Sequence, residues 1–191
     1  MPANEPQTVG DLLYWCYANL AMMATVLENA ASRPGRQHYS IRARLYAGLR
    51  SGTMNVRGYL DDEKLKLTLP RHCWYCGSKE QLSADHIVPQ ARGGCHGGEN
   101  LVYACRRCNS SKGSKDLLEW MHQRGQFPPL YLLRRYLKMA IEHCRRHQLM
   151  DLSLANIDGV KDSLPFALHM IPRRFPEASR LCKWLDCEAA T

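Results

Sequence analysis

Two Cys-x-x-Cys pairs, Cys73/Cys76 and Cys105/Cys108, constrain this chain more than any other feature. Each pair lets a tight turn present two thiolates to one ion. Two such turns complete a tetrahedral four-sulfur site, which suits Zn²⁺. A centre closed by four sulfurs supports the fold and does no chemistry. The module around it has little apolar material for a core, and metal ligation supplies folding free energy of ~10–16 kcal/mol at neutral pH. Iron–sulfur ligation and free thiols are the other readings of the same spacing. Cys95-His96 lies between the pairs and offers alternative ligands. Because both pairs are already complete, these two are read as loop residues of the Gly93–Gly98 stretch. Trp74 and Tyr75, inside the first turn, are read as packing residues, with base stacking as the alternative.

The remaining cysteines of the nine (Cys16, Cys95, Cys144, Cys182, Cys187) follow no motif. The N-terminus, Met1-Pro-Ala-Asn-Glu-Pro, lacks the basic start of a secretory signal. A reducing, cytoplasmic setting with bound zinc explains this usage better than a disulfide framework. Leu12 to Leu27 carries no charge, but it is shorter than the ~20 residues of a membrane span and contains Asn19 and Thr25. It is expected to be a buried helix, and no membrane association is expected.

Helical patterning dominates elsewhere. One apolar helix is expected from Asp11 to about Ala31, stopped by Pro34-Gly35, and a second over Ile41–Arg50 with Ser40 as its N-cap. A short helix is expected within Val56–Leu67. After Lys115, Leu117, Leu118 and Met121 share a face. Leu130, Leu133, Leu137, Ala140, Ile141 and Cys144 then recur at helical spacing. Pro165, Pro172 and Pro176 break the last part into short pieces. The fold class expected is α+β and mostly helical. Its parts are an N-terminal helical region (1–68), a compact metal-bound module (69–118) and a C-terminal helical region (119–191).

The material between the cysteines adds chemistry. Asp85 offers an anionic oxygen, and Asn109, directly after Cys108, a neutral carbonyl oxygen. Few, hard oxygen ligands suit Mg²⁺ or Mn²⁺, which complete their shells with water and a phosphate substrate. His86 places a base of pKa ~6.5 beside them. A base for water and a cation for developing charge are what phosphodiester hydrolysis requires. A two-metal mechanism would want several bridging carboxylates, and only Asp85 is suitably placed.

Taken in order, Asp85-His86-Ile87-Val88-Pro89, Gly98-Glu-Asn100-Leu-Val and Cys108-Asn109-Ser-Ser-Lys112-Gly113 resemble the signatures of the HNH endonucleases over roughly residues 69–118. The resemblance implies a ββα-metal fold, a β-hairpin and a helix around one divalent ion. It further implies His86 as general base, Asp85 and Asn109 as metal ligands, and Asn100 as a brace for the hairpin loop. Lys112 would approach the phosphate. The cysteines match the zinc-stabilised subset of that family. The expected products carry 5′-phosphate and 3′-hydroxyl ends.

Charge supports a polyanionic partner: the formal net charge is +8. Six arginines and no acidic residue lie between Glu28 and Asp61, Arg42 and Arg44 among them. A second basic face, along the helix after Pro129, holds Arg134, Arg135, Lys138, Arg145 and Arg146. Either could contact phosphates. Asp61-Asp62-Glu63 is read as a favourable cluster at a helix start. DNA is the expected partner ahead of RNA, with a protein partner or homodimer through the helical arms, in a restriction or phage-defence role. The rival reading is a non-catalytic zinc module that binds nucleic acid or protein.

Overall fold

The computed structural model describes residues 5–159 and 164–185; Cys187 lies outside them. The chain forms two compact units, one from residues 1–56 and 137–180, the other from 57–136 and 181–191. The expected boundaries at 68 and 118 therefore both fall inside the second unit. The α+β, mostly helical class holds: the described residues contain six α-helices and one two-stranded antiparallel sheet.

In the first unit, helix α1 (Val9–Glu28) packs against α2 (Arg36–Ser51). Helix α1 is buried on most of its circumference, which is why Leu12–Leu27 within it carries no charge. Thr8 caps it, its hydroxyl accepting from the Asp11 amide at 3.1 Å. The next orphan amides reach backbone carbonyls, Val9 to Leu152 at 2.9 Å and Gly10 to Met150 at 2.8 Å. A Cβ at position 10 would sit 2.9 Å from the Met150 carbonyl oxygen, so glycine permits the approach. Helix α2 begins earlier than expected. Gly35 is its N-cap, and the Gly35 amide donates to His38 Nδ1 at 2.9 Å. Ser40 lies within the helix, its hydroxyl bonded back to the Arg36 carbonyl. The C-terminal pieces are short 3₁₀ turns.

The second unit holds α3 (Leu60–Thr68), β1 (Leu82–His86), β2 (Leu101–Cys105), α4 (Arg106–Lys112) and α5 (Leu117–Gln123). Helix α6 (Leu130–Arg146) contributes its beginning to this unit and the rest to the first. Two of its first-turn amides are satisfied by a returning strand of chain, Leu130 to the Cys182 carbonyl at 2.9 Å and Tyr131 to Lys183 at 3.1 Å. Asp116 caps α5 through the Leu118 amide at 2.8 Å, and its other oxygen accepts from the Tyr136 hydroxyl at 2.6 Å.

Of the basic face expected on α6, Arg145 and Arg146 are exposed, while the three residues nearer its start turn toward the fold. Arg135 is 1% exposed. Its guanidinium donates to Glu63 at 2.6 Å, to the Gly98 carbonyl at 2.7 Å and to the Glu99 carbonyl at 3.1 Å. Lys66 reaches the same Gly98 carbonyl at 3.0 Å and pairs with Glu63 at 2.9 Å. Arg134 is ion-paired with buried Asp62 at 2.5 Å, and Lys138 is buried. These cations hold the fold together rather than meeting solvent. Asp62 and Glu63 are first-turn acids of α3, as expected, but each also has a cationic partner on α6. Burial pushes the Glu63 carboxyl up. The hydrogen bonds from Lys66 and Arg135 outweigh it, and the net shift is downward. A lowered carboxyl pKa contributes stability above the ordinary carboxylate range and loses it as pH falls through the lowered value.

Removing Arg135 leaves two backbone carbonyls and a carboxylate short of a donor. Arg135→Ala should lower unfolding free energy by about 3 kcal/mol, the scale for breaking a buried pair. Denaturant titration reads this, and an unchanged midpoint would return the guanidinium to the surface.

Candidate active site

The four cysteines converge. Their sulfurs all lie within 4.8 Å of one another, and Cys73, Cys105 and Cys108 are buried. The first knuckle closes through the Gly77 amide to the Cys73 carbonyl at 2.8 Å, with Gly77 at φ 78°, and the Cys73 amide to Ser78 at 2.7 Å. The second lies where β2 runs into α4. The Trp74 amide donates to the Tyr103 carbonyl at 2.9 Å, so the first knuckle is stitched to β2. Burial pushes the Cys73 thiol up to about 11 and raises that of Cys108, while hydrogen bonds from the Cys108 amide and neighbouring thiols bring Cys105 down against its own burial. Four thiolates cannot coexist here without a cation. The donor set, its closeness and its burial fit a metal with thiolate ligands.

On this root stands the hairpin. Strands β1 and β2 pair antiparallel, with Leu82 opposite Cys105, Asp85 opposite Val102 and His86 opposite Leu101. Ser83 and Asp85, two apart, share a face of β1. Helix α4 lies against that face: Asn109 Nδ2 donates to Ser83 Oγ at 3.2 Å, and Lys112 Nζ lies 3.2 Å from Asp85 Oδ2. Asp85 and Asn109 are thereby drawn to one strand–helix seam. Neither Asp85 Oδ1 nor Asn109 Oδ1 accepts a hydrogen bond among the described residues. Two oxygens with lone pairs to spare are a donor set that fits a hard divalent cation.

Lys112 is placed otherwise than the sequence suggested. It is fully buried. Its ammonium donates to the His86 carbonyl at 2.5 Å and pairs with Asp85. Burial lowers its pKa, against the raising influence of Asp85 and then Asp116. It lies behind the strand end, tying the His86 carbonyl to the Asp85 carboxylate.

Asn100 is completely buried at the start of β2. Its Oδ1 accepts from the Val88 amide at 2.8 Å, and its Nδ2 donates to the Val88 carbonyl at 2.9 Å and the Cys95 carbonyl at 2.7 Å. The Ile87 amide donates to the Asn100 carbonyl at 2.8 Å. One side chain thus ties both ends of the loop after His86. Any Cβ at Gly94 would collide with the Val88 carbonyl, 1.9 Å away, so the loop closes only with glycine there.

Two neighbours escaped the sequence reading. Tyr75, buried in the first knuckle, donates its hydroxyl to Asp85 Oδ2 at 2.7 Å and meets Trp120 edge-on at 5.1 Å. His96, taken as a loop residue, brings Nδ1 to 2.9 Å from His86 Nε2. No spacing rule signals either contact. Burial lowers the His86 pKa, helped by His96 and opposed by Asp85, so its imidazole is neutral at pH 7 and can accept a proton. Of the basic residues, Arg44 is exposed and Arg42 half-buried, both on α2; Arg134, Arg135 and Lys138 are engaged as described above. No helix among the described residues is long and apolar enough to cross a membrane.

Comparison with known proteins agrees with this geometry. The model of the HNH endonuclease family matches residues 73–115. A CRISPR-associated endonuclease Cas9 from Corynebacterium diphtheriae is 48% identical over 52 residues, covering 25% of this chain and 5% of that protein. The Cas9 of Actinomyces naeslundii is 40% identical over 57 residues, 28% of this chain and 5% of its own length. The chain thus spans about a twentieth of these relatives. No solved structure matches the chain at a significant level. Residues 73–115, a hairpin and helix joined at a four-cysteine root and carrying Asp85-His86 and Asn109, are thus the part of the chain that matches the HNH endonuclease family.

Proposed function

We propose that this protein is a metal-dependent endonuclease that hydrolyses DNA phosphodiester bonds. The observation that carries it is the seam itself. Asp85 and Asn109 are drawn together by α4, while the neighbouring His86 is held at its backbone by Lys112 and at its ring by His96. With Nε2 donating to His96, His86 Nδ1 keeps its lone pair and takes the proton of a water attacking the phosphorus. The bond to the 3′-oxygen breaks, that oxygen is protonated from solvent, and 5′-phosphate and 3′-hydroxyl ends result. A Mg²⁺ or Mn²⁺ held by Asp85 and Asn109 supplies positive charge for the phosphate and leaving oxygen. Asn100 keeps the loop, and so the base, in register. Zn²⁺ on Cys73, Cys76, Cys105 and Cys108 holds the hairpin to the helix. Arg42 and Arg44 are candidate phosphate contacts. The similarity to CRISPR-associated endonucleases supports a nucleic-acid substrate, and we take it to be DNA ahead of RNA. Restriction or phage defence, in the reducing cytoplasm and with a second copy or another subunit choosing the target, is the role this reading suggests.

His86→Ala should lower plasmid cleavage in Mg²⁺ by ~10²–10⁴ while melting temperature and DNA binding persist. Equal cleavage by the variant, or none by either protein in Mg²⁺ or Mn²⁺, would favour the non-catalytic zinc module. Lys112→Met should cost about 3 kcal/mol of stability by leaving the Asp85 carboxylate without its buried partner. A cleavage defect with undiminished stability would instead make Lys112 a phosphate ligand. Cys76→Ser should lose bound zinc, measured by metal analysis, and melt at lower temperature. Full zinc content in that variant would remove Cys76 from the ligand set.

A further inference from the structure

The first unit carries a basic, aromatic cleft that the nuclease chemistry does not use. Trp15, Tyr39, Arg42, Arg33, Arg173 and Arg174 line a cavity of about 600 Å³. Its walls are ordered by contacts within the unit. Trp15 Nε1 donates to the Arg173 carbonyl at 2.9 Å, tying the indole edge to that segment. The Arg42 guanidinium lies 4.6 Å from the Trp15 ring centroid and 5.1 Å from that of Tyr39, and donates to buried Asn19 at 3.3 Å. Asn19 is itself held by the Trp15 carbonyl at 3.0 Å.

Tyr39 is 46% exposed, so its ring is open to a ligand in the cleft. Arg33, Arg173 and Arg174 are exposed and form no ion pair among the described residues. Glu177 is the single carboxylate in the lining. A second hollow of about 510 Å³ shares Trp15 and Arg42 and continues past Tyr46 and Arg50. The Trp15–Arg42 pair is therefore a ridge between two adjoining hollows.

Unopposed guanidinium groups around aromatic and guanidinium faces complement a ligand with both phosphates and planar rings. In a duplex the base faces are hidden in the stack. A concave site lined this way suits unpaired nucleotides. The geometry points to a nucleotide-binding cleft in the first unit: it holds a single strand, with phosphates on Arg33, Arg173 and Arg174 and a base against Tyr39 and the Trp15–Arg42 ridge. Two adjoining hollows favour successive nucleotides of a strand over a free mononucleotide of the same chemistry. The inference rests on the proposed function only in taking nucleic acid as the partner.

The test is fluorescence anisotropy with a labelled oligothymidylate and the full chain carrying His86→Ala, so that nothing is cut. Unlabelled single strand, matched duplex, a mononucleotide and inorganic polyphosphate serve as competitors. Single strand should displace the probe far better than duplex. Tyr39→Ala should weaken binding roughly 5- to 100-fold, the range for losing one base–aromatic stack. Tyr39→Phe should retain it, and the paired change Arg33→Glu with Arg174→Glu should weaken it and flatten its salt dependence. These are surface positions, so melting should not change. Displacement by the mononucleotide as effectively as by the strand assigns the cleft to a free nucleotide, the same chemistry from the other source. Binding that is indifferent to Tyr39→Ala, or polyphosphate competing as well as single strand, overturns the proposal. Plasmid cleavage by the unmodified protein is read separately, so Tyr39-dependent binding without any cleavage would sink the nuclease reading and leave the cleft standing.

Discussion

Four sulfurs within one small volume are the constraint on which the rest of the HNH module depends. A two-stranded hairpin is marginal in water by itself, and α4 has seven residues, too short to persist alone. Neither element brings a core large enough to hold the other. The first knuckle, the end of β2 and the start of α4 all meet at the cysteines, so one cluster fixes three elements at once. Everything the site needs from α4, meaning Asn109 on Ser83 and Lys112 on Asp85, follows from that junction. The raised thiol pKa values of Cys73 and Cys108 say the same from the other side. Without a cation the cluster is a group of buried thiols that repel one another's ionisation, and a cation turns that liability into cohesion.

Above that root, the site is held by polar groups that are costly to bury and therefore hard to displace. Asp85 takes Tyr75 from one side and Lys112 from the other; Asn100 spends its amide on three backbone groups. A half-satisfied set would be worse than an apolar core. Satisfied, it lets a small module hold an imidazole and a carboxylate to within the fraction of an ångström that catalysis needs. The bonds of Arg135 and Lys66 to the Gly98 carbonyl serve the same end, because Gly98 begins the turn that delivers Asn100.

Motif residues were legible in the sequence because their spacing is dictated by a single local requirement. Two residues between cysteines is the width of one knuckle, and Asp85-His86 is a strand end. The ββα class was legible only through the family resemblance those residues carry, and helix α1 was legible from its uncharged run. What stayed hidden was contact made by loops and turns that fold back on the strand, for which no fixed spacing exists. Tyr75 reaches Asp85 only because the knuckle folds back on β1, and His96 meets His86 only because the Gly93–Gly98 loop turns inward. The start of α2 was misjudged because a glycine cap closed through His38 carries no Ser or Asp signal.

The arginines show why charge patterning alone misleads. Arg134 and Arg135 on α6 and Asp62 and Glu63 on α3 each look like a solvated cluster when taken alone. Some seventy residues of chain separate them, and each provides the other's counter-charge. A basic run is therefore a phosphate-binding surface only where no acid answers it, and composition cannot say where the acids fold. By that criterion the α6 cations are excluded by their partners. Arg33, Arg173 and Arg174 remain, because they are exposed beside aromatic rings with one carboxylate in reach. Opposed cations were selected by the interior. Unopposed ones carry a cost in self-repulsion, and a phosphate-bearing ligand in the cleft we propose would offset it.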